Sequence, residues 1–174
     1  MIRGELIELR PLTAADVDRT ERIANDADYN GPFGTWALVA AGDVRRRFEV
    51  DGYLTHDHGR LVVVDTSGEP VGGVSYIAIF HGPPPSNRVF NIGVDIDPAH
   101  RRRGYGAEAQ ALLARYLFDT YTIERVEAST DVDNVPEQRA LERAGFTREG
   151  VLRRAQWRAG DWHDVALYSK LRGE

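Results

Sequence analysis

Cysteine is absent from this chain of 174 residues, which excludes disulfide scaffolds, thiol nucleophiles and metal sites built on thiolates. The chain also lacks any run of about 18 apolar residues, so we expect no segment that spans a membrane. Its first residues, MIRGELIELRPL, lack the apolar core of a signal peptide. These three absences together favour a cytoplasmic protein.

Lysine is almost missing as well: Lys170 is the single lysine among 22 basic residues. The 27 acidic residues leave a net charge of −5. An acidic domain is a poor general binder of nucleic acid, because phosphate affinity comes mainly from lysine and arginine. We therefore expect no nucleic-acid partner. Because nearly every basic residue is arginine, an arginine cluster indicates a function only where its position in the fold supports one.

The composition that remains, 42% hydrophobic and 28% charged, is that of an ordinary globular protein. The length suits a single domain over residues 1–174. Hydrophobic periodicity and turn residues predict an α/β fold around a mixed sheet. The predicted strands lie at 5–9, 60–65, 70–80, 88–96 and 125–130 and on both sides of the turn at 159–161, and the predicted helices follow Thr13 and lie at 43–50, 106–118 and 135–144.

A segment rich in glycine and aromatic residues, Tyr29–Trp36, separates the first two predicted helices. We interpret it as a loop. Two roles are open for it: its aromatic side chains are buried and fix the loop, or the loop forms the lip of a pocket.

The most informative segment follows the predicted strand 88–96. Three arginines at 101–103 and two glycines, Gly104 and Gly106, lie between the end of that strand and the start of a helix. Successive backbone N–H groups in such a turn can surround a phosphate oxygen, and the N-terminus of a helix adds about half a positive charge. Glycine lets the backbone approach a ligand closely. This segment therefore predicts a pyrophosphate-binding turn.

The identity of the pyrophosphate ligand stays open at this point. Gly104 and Gly106, with Ala109, match the loose dinucleotide pattern G-x-G-x-x-G/A, so a dinucleotide-dependent oxidoreductase is one alternative. In that fold, however, the first glycine follows its strand almost directly, whereas DPAHRRR intervenes here. A Walker loop is excluded because no G-x-x-x-x-G-K-[ST] pattern occurs.

Arg101-x-x-Gly104-x-Gly106 after the strand IGVDIDP resembles the acetyl-CoA motif of the GNAT N-acetyltransferases. A second block, which begins at Asn134 and ends a helix in Gly145-Phe146, is similar to the second motif of that family. The C-terminal segment is similar to the RimJ/RimL-like subgroup. The three blocks occur in the family's order, and the resemblance covers essentially the whole chain.

The resemblance implies a GNAT-type fold, which is a mixed, mostly antiparallel twisted sheet of about seven strands flanked by about four helices. It implies acetyl-CoA as co-substrate and no metal. The pantetheine arm would lie along the strand at 91–96, where a bulge would separate that strand from the one at 125–130 and open a slot. The residues implied to contact the cofactor are Val94 and Ile96 through their backbone, then Arg101, Arg102, Arg103, Gly104, Tyr105, Gly106, Ala107 and Asn134.

The family further implies direct attack on the thioester by a primary amine, in a ternary complex. That amine belongs to a small molecule or to a protein N-terminus, and the chain itself does not say which. A homodimer is an assembly that the family allows. Trp157 and Trp162, which flank the last turn, are interpreted as sheet packing or dimer contacts rather than as a cage for the substrate.

Several positions depart from the family. Leu141 stands where many relatives have a tyrosine that protonates the leaving thiolate, Glu137 stands where RimJ/RimL-like relatives often have serine, and Asn91 and Gln156 stand where acids are common. The remaining nearby acids, Asp95 and Glu137, are the candidates for the general base. The same departures leave a non-catalytic acyl-CoA-binding sensor as a further alternative.

Overall fold

In the computed structural model, which describes residues 1–34 and 37–174, one mixed sheet carries helices on both faces. The described residues form eight strands and five α-helices, so the predicted α/β class is confirmed, with one strand and one helix more than expected. The elements are β1 Ile2–Arg3, β2 Ile7–Pro11, α1 Ala14–Ala24, α2 Ala27–Gly34, α3 Asp43–Asp51, β3 His58–Asp65, β4 Pro70–Phe80, β5 Arg88–Ile96, α4 Tyr105–Thr120, β6 Arg125–Asp131, α5 Val135–Arg143, β7 Thr147–Arg158 and β8 Asp161–Leu171.

The sheet has the strand order β1-β2-β3-β4-β5-β6-β8-β7. All neighbouring strands are antiparallel except β5 and β6, which are parallel and are joined through α4. A parallel pair needs such a crossover connection, and α4 provides it. Because β5 and β6 run in the same direction, α4 and α5 both begin near the ends of these two strands.

The main core lies between the sheet and the pair α4 and α5. Leu113 and Leu117 of α4 and Leu141 of α5 are fully buried against Phe90 and Ile92 of β5. Since alternate residues of a strand face opposite sides, this packing assigns the even-numbered residues of β5 to the α4 face and the odd-numbered ones to the other face. None of the described helices combines the length and the apolarity that a membrane span needs.

A smaller cluster covers part of the opposite face. Leu12, Val62 and Val64 are buried there, with Phe48 of α3 and Tyr53 packed against them. The α3 helix therefore covers the part of the sheet near β2 and β3 and leaves the other face of β5 and β6 to α2.

The segment Tyr29–Trp36 differs from its prediction as a loop. Residues Ala27–Gly34 form the short helix α2, which is interrupted at Gly31, where φ is 64°. Glycine tolerates this left-handed conformation, so the chain continues helically after the kink. Thr35 and Trp36 lie outside the described residues.

The hairpin β7–β8 carries both tryptophans on its surface. Trp157 is 56% exposed and Trp162 is 46% exposed, and their ring centroids lie 5.4 Å apart in an edge-to-face arrangement. Trp157 and Trp162 are opposite each other in the β7–β8 ladder, so the two rings pack against each other across the surface of the sheet. Their role as dimer contacts stays a prediction.

Candidate functional site

A slot opens between β5 and β6. The two strands pair over three positions only, from Phe90 opposite Val126 to Ile92 opposite Ala128, although β5 continues to Ile96. The separation that was expected for this pair of strands is present. The expected bulge is not found in the ladder between β4 and β5, whose register continues unshifted from Gly72 opposite Ile96 to Phe80 opposite Arg88.

Backbone polar groups of β5 face this slot. Asp97 donates its N–H to the carbonyl oxygen of Val71, 2.9 Å away, so the odd-numbered residues at this end of β5 bond to β4. Alternation along the strand turns the N–H and C=O groups of Val94 and Ile96 toward β6. Because the ladder to β6 has ended at Ile92, these groups can bind an extended ligand that lies in the slot.

The turn that follows β5 leads into α4. Pro98–His100 form a single 3-10 turn, Arg102 has a φ of 64°, and Gly104 is the N-cap of α4 with a φ of 87°. Glycine has no side chain that could cap the helix. The N–H groups of the first turn of α4 are therefore available to an external acceptor, and the helix dipole favours an anion there.

Gly106 gives a test of whether this turn fits a ligand. A Cβ built on Gly106 would lie 3.7 Å from the Ile96 side chain, an ordinary contact. The protein itself would thus accept a side chain at this position. The protein's own packing therefore does not explain the glycine, whereas a pyrophosphate at the start of α4 would be approached more closely by a backbone without a side chain.

Two of the three arginines already contact the protein. Arg101 donates from Nε to the carbonyl oxygen of Ile96 at 2.9 Å and from Nη2 to the carbonyl oxygen of Tyr29 at 2.8 Å. Arg103 donates to the carbonyl oxygen of Ala99 at 3.2 Å. Arg101 therefore links the turn to α2, a contact that the sequence did not indicate.

The remaining predicted cofactor contacts lie on both sides of the turn. Tyr105 is half-buried and packs against the main core, and Ala107 follows it in the first turn of α4. Asn134 occupies the N-cap position of α5, but its side chain does not cap that helix. Its Nδ2 instead donates to Thr130 Oγ1 at 3.0 Å, at the end of β6.

Glu137 lies in the first turn of α5, on the α4 face of the sheet. It hydrogen-bonds to the buried side chain of Gln110, which in turn donates to the carbonyl oxygen of Gly106 at 3.2 Å. Burial raises the pKa of Glu137 to about 7, and the hydrogen bond from Gln110 opposes that rise. This carboxyl group can therefore gain or lose a proton near neutral pH.

Asp95 is on the opposite face of β5 and is held on both oxygens. Arg60 Nη2 donates to its Oδ1 at 2.7 Å, and the hydroxyl of Tyr29 donates to its Oδ2 at 3.0 Å. Arg60 and Asp95 therefore form an ion pair on this face of the sheet. The structure thus places the two general-base candidates, Asp95 and Glu137, on different faces of the sheet rather than together.

Tyr29 belongs to a network that sequence reasoning missed. Its hydroxyl also reaches Asp97 Oδ1 at 2.7 Å, and Asp97 forms an ion pair with Arg19. Burial, and then the charges of Asp95 and Asp97, raise the pKa of Tyr29 above its usual range, so its hydroxyl stays protonated. The only signal in the sequence was the pocket-lip interpretation of residues 29–36.

A second buried ion pair lies across the slot. Arg158, at the end of β7, pairs with Asp131 at the end of β6, and His163 Nδ1 lies 3.1 Å from the same carboxylate. Arg158 also donates to the carbonyl oxygen of Pro32, and its guanidinium carbon lies 5.3 Å from the ring centroid of Phe33. The helix α2 therefore contacts both walls of the slot.

Comparison with known proteins agrees with this geometry. Residues 7–147 match the family described as acetyltransferase (GNAT) domain. The probable N-acetyltransferase YjcK of Bacillus subtilis is 28% identical over 180 residues, which cover 98% of this chain and 97% of that protein.

Two solved structures share the fold. Spermidine N-acetyltransferase from Vibrio cholerae, in complex with CoA and spermine, has a TM-score of 0.80 at 19% identity, covering 95% of each chain. RimJ from Mycobacterium smegmatis, in complex with a CoA disulfide, has a TM-score of 0.77 at 22% identity, covering 97% of this chain and 86% of that one.

Proposed function

Because this chain belongs to the GNAT acetyltransferase family, we propose that it transfers the acetyl group of acetyl-CoA to a primary amine, on a small molecule or at a protein N-terminus. The attack is direct, within a ternary complex, and residues 1–174 act as one domain. The observation that carries the proposal is the slot between β5 and β6, which ends at the uncapped start of α4. Family membership favours an acetyltransferase over the sensor and over the oxidoreductase.

The arginine turn and the start of α4 would hold the pyrophosphate of the cofactor. The N–H groups of the first turn of α4 point outward, and the glycine at 106 keeps them accessible. The groups assigned to this part of the cofactor are Arg101, Arg102, Arg103, Gly104, Tyr105, Gly106 and Ala107.

The slot would hold the pantetheine arm. The backbone groups of Val94 and Ile96 point into the slot, and Asn134 lies at its β6 side. Acetyl-CoA, when bound there, supplies an acyl group activated as a thioester. A backbone N–H directed at the developing negative charge on the acyl oxygen would stabilise the transition state.

Proton removal from the amine is the step that needs a side chain. An alkyl amine with a pKa near 10.4 is almost entirely protonated at pH 7 and cannot attack. Glu137 suits this task better than Asp95, since a base works best when its pKa lies near the operating pH. Glu137 lies on the α4 face, whereas the amine would approach from the face of Asp95, so the proton would reach Glu137 through water in the slot. We assign Glu137 as the final acceptor of that proton and Asp95 to the positioning of the amine.

The class of amine is the finer part of the proposal. The net charge of −5 favours a cationic acceptor. One fold relative was solved with spermine, and another is RimJ. A polyamine and a peptide N-terminus are therefore the acceptors to compare first.

A thiol-release assay tests the proposal. Acetyl-CoA would be supplied with spermidine, an aminoglycoside and short peptides with free N-termini, and CoA release would be measured for each. We expect release above the rate without amine for at least one member. CoA binding by calorimetry, with no release on any amine of a broad panel, would support the sensor and overturn the transferase.

A further inference from the structure

The short helix α2 is bonded to α1, where the Asn30 side chain donates to the carbonyl oxygens of Ile23 and Ala24, and it is also attached to the sheet and to the arginine turn. The Tyr29 hydroxyl bonds to Asp95 and Asp97 at the end of β5. The carbonyl oxygen of Pro32 accepts from Arg158 at the end of β7. The carbonyl oxygen of Tyr29 accepts from Arg101 of the arginine turn at 2.8 Å.

These attachments place α2 across the slot on the face that carries Asp95. Asp95 belongs to the β5 wall, and Arg158 is joined to the β6 wall through its ion pair with Asp131. An amine that approaches the slot from this face would pass beside α2. Helix α2 thus borders the acceptor side, whereas α4 and α5 border the cofactor side.

Arg101 attaches α2 to the cofactor side. Its guanidinium group uses Nε for Ile96 and Nη2 for Tyr29, and both bonds go to carbonyl oxygens. A guanidinium group has five N–H donors, so it can hold both carbonyls and still donate to a phosphate oxygen. A phosphate bound at the turn would fix Arg101 and, with it, the backbone of Tyr29.

We propose that Arg101 is a positioning residue that couples the cofactor site to the acceptor side, so that CoA bound at the arginine turn stabilises α2 across the slot. The inference rests on the proposed function for the place where CoA binds. By linkage, an acceptor that requires an ordered α2 binds more tightly when the cofactor is present. Arg101 thereby favours the ternary complex that direct attack requires.

Helix α2 suits this role because its own stability is low. It has eight residues and a kink at Gly31, and its side chains, that of Tyr29 included, are at most partly buried. Helices this short are marginal without tertiary contacts, and regions with few buried contacts open locally at low free-energy cost. A single additional fixed contact therefore changes its opening measurably.

Hydrogen–deuterium exchange tests the coupling with CoA alone as the probe. Backbone amides of residues 27–34 would be followed with and without saturating CoA, with saturation set by calorimetry for each variant. In the native chain we expect CoA to slow exchange in this segment at least about fivefold, the lower end of typical coupling.

Arg102 provides a matched control for Arg101. Arg101→Met and Arg102→Met each remove one positive charge from the same turn, but Arg102 makes no side-chain hydrogen bond to the described residues of α2. We expect both variants to weaken CoA binding, and only Arg101→Met to lose the CoA-dependent protection. Arg101→Lys keeps the charge without the planar guanidinium group, so we expect weaker CoA binding than in the native chain and, at CoA concentrations that saturate the variant, loss of the protection.

The outcomes separate this inference from the function on which it rests. If CoA binds the native chain and exchange in 27–34 does not change, the coupling is wrong and the proposed function stands. The same holds if Arg101→Met and Arg101→Lys fold and keep the full protection. If CoA does not bind the native chain, the proposed function fails and the inference fails with it.

Discussion

The two sides of the slot are built in different ways. The cofactor side is made mostly of backbone groups from one contiguous stretch, residues 94–107, together with the start of α5. The acceptor side is made of side chains from distant parts of the chain. Tyr29 meets Asp95 and Asp97 across 66 and 68 positions, and Arg101 meets Tyr29 across 72.

This difference explains which side the sequence could predict. A turn rich in glycine and arginine takes its conformation largely from its own residues, so the turn that we propose to bind pyrophosphate could be predicted from the sequence. The contacts of Tyr29 exist only after α2 has folded over the sheet. A side chain that acts across such a distance leaves no local pattern.

The largest expected effect concerns Glu137. Glu137→Gln removes the proton acceptor and keeps the shape, so we expect kcat to fall about a hundredfold, with the KM for acetyl-CoA nearly unchanged. In the native protein the rate should rise with pH through about 7, as Glu137 loses its proton. That rise should be absent from the pH profile of the variant.

Asp95→Asn and Glu142→Gln serve as controls for this prediction. Asp95 is already engaged by Arg60, so its variant should change the acceptor KM more than kcat. Glu142 lies near the end of the same helix as Glu137, close to Tyr168, and its variant should keep native kcat. A hundredfold loss in Asp95→Asn, with Glu137→Gln unaffected, would exchange the two roles. Native kcat in Asp95→Asn, in Glu137→Gln and in the double variant would leave proton removal to water.

The second effect concerns the cofactor side of the slot, which consists mostly of backbone groups. Gly106→Val should weaken CoA binding at least about tenfold, or about 1.4 kcal/mol, because the new side chain occupies the space of the pyrophosphate. The fold should survive, since a Cβ at this position meets only an ordinary contact. Gly150→Val is the control, because a Cβ added to that glycine of β7 would have no atom within 4 Å. Calorimetry that gives native affinity in a folded Gly106→Val protein would remove the pyrophosphate assignment.

The third effect concerns the acceptor side of the slot, which consists of side chains. Tyr29→Phe removes only the hydroxyl that holds Asp95 and Asp97, so we expect the acceptor KM to rise about fivefold, which corresponds to about 1 kcal/mol, the typical net value of one hydrogen bond. The KM for acetyl-CoA should stay within about twofold of the native value. Tyr121→Phe removes a hydroxyl at the far end of α4, 3.5 Å from the carbonyl oxygen of Thr55, and should change neither constant. Equal changes in both KM values would mean that Tyr29 supports the fold rather than the acceptor side.

The success of the secondary-structure prediction also depends on whether nearby or distant residues determine a segment. The predicted strands at 70–80 and 88–96 agree with β4 and β5, because β-branched runs bounded by turn residues are local signals. The helix α2 was missed because Gly31 and Pro32 mark a turn in the sequence; Gly31 is non-helical in the structure as well, but the residues on either side of it are helical and contact β5 and β7. The strand predicted from residue 5 begins at Ile7 instead, for an equally distant reason.

That reason is Glu108, in the first turn of α4. Its carboxylate accepts the backbone N–H groups of Glu5, Leu6 and Ile7, at 2.5, 2.8 and 3.0 Å. Consecutive N–H groups here bind an anion that the chain itself supplies. Gly104, the N-cap of α4, supplies no capping side chain. The N–H groups in the first turn of α4 are therefore available to an external acceptor.

Replacement of Glu108 gives the smallest of the four effects and sharpens this contrast. In Glu108→Ala the three N–H groups lose their shared acceptor, but they lie near the surface, where water can replace it. We therefore expect a loss of about 1 kcal/mol in the free energy of unfolding, which lowers Tm by about 2–4 °C.

Glu124→Ala, which removes an exposed carboxylate in the loop before β6, should leave Tm unchanged. CoA affinity should stay native in Glu108→Ala, because the N–H groups it releases belong to the β1–β2 turn and not to α4. A Tm equal to that of the native chain would show that water satisfies these N–H groups as well as Glu108 does, and a large loss of CoA affinity would show that the two sets of N–H groups act as one site.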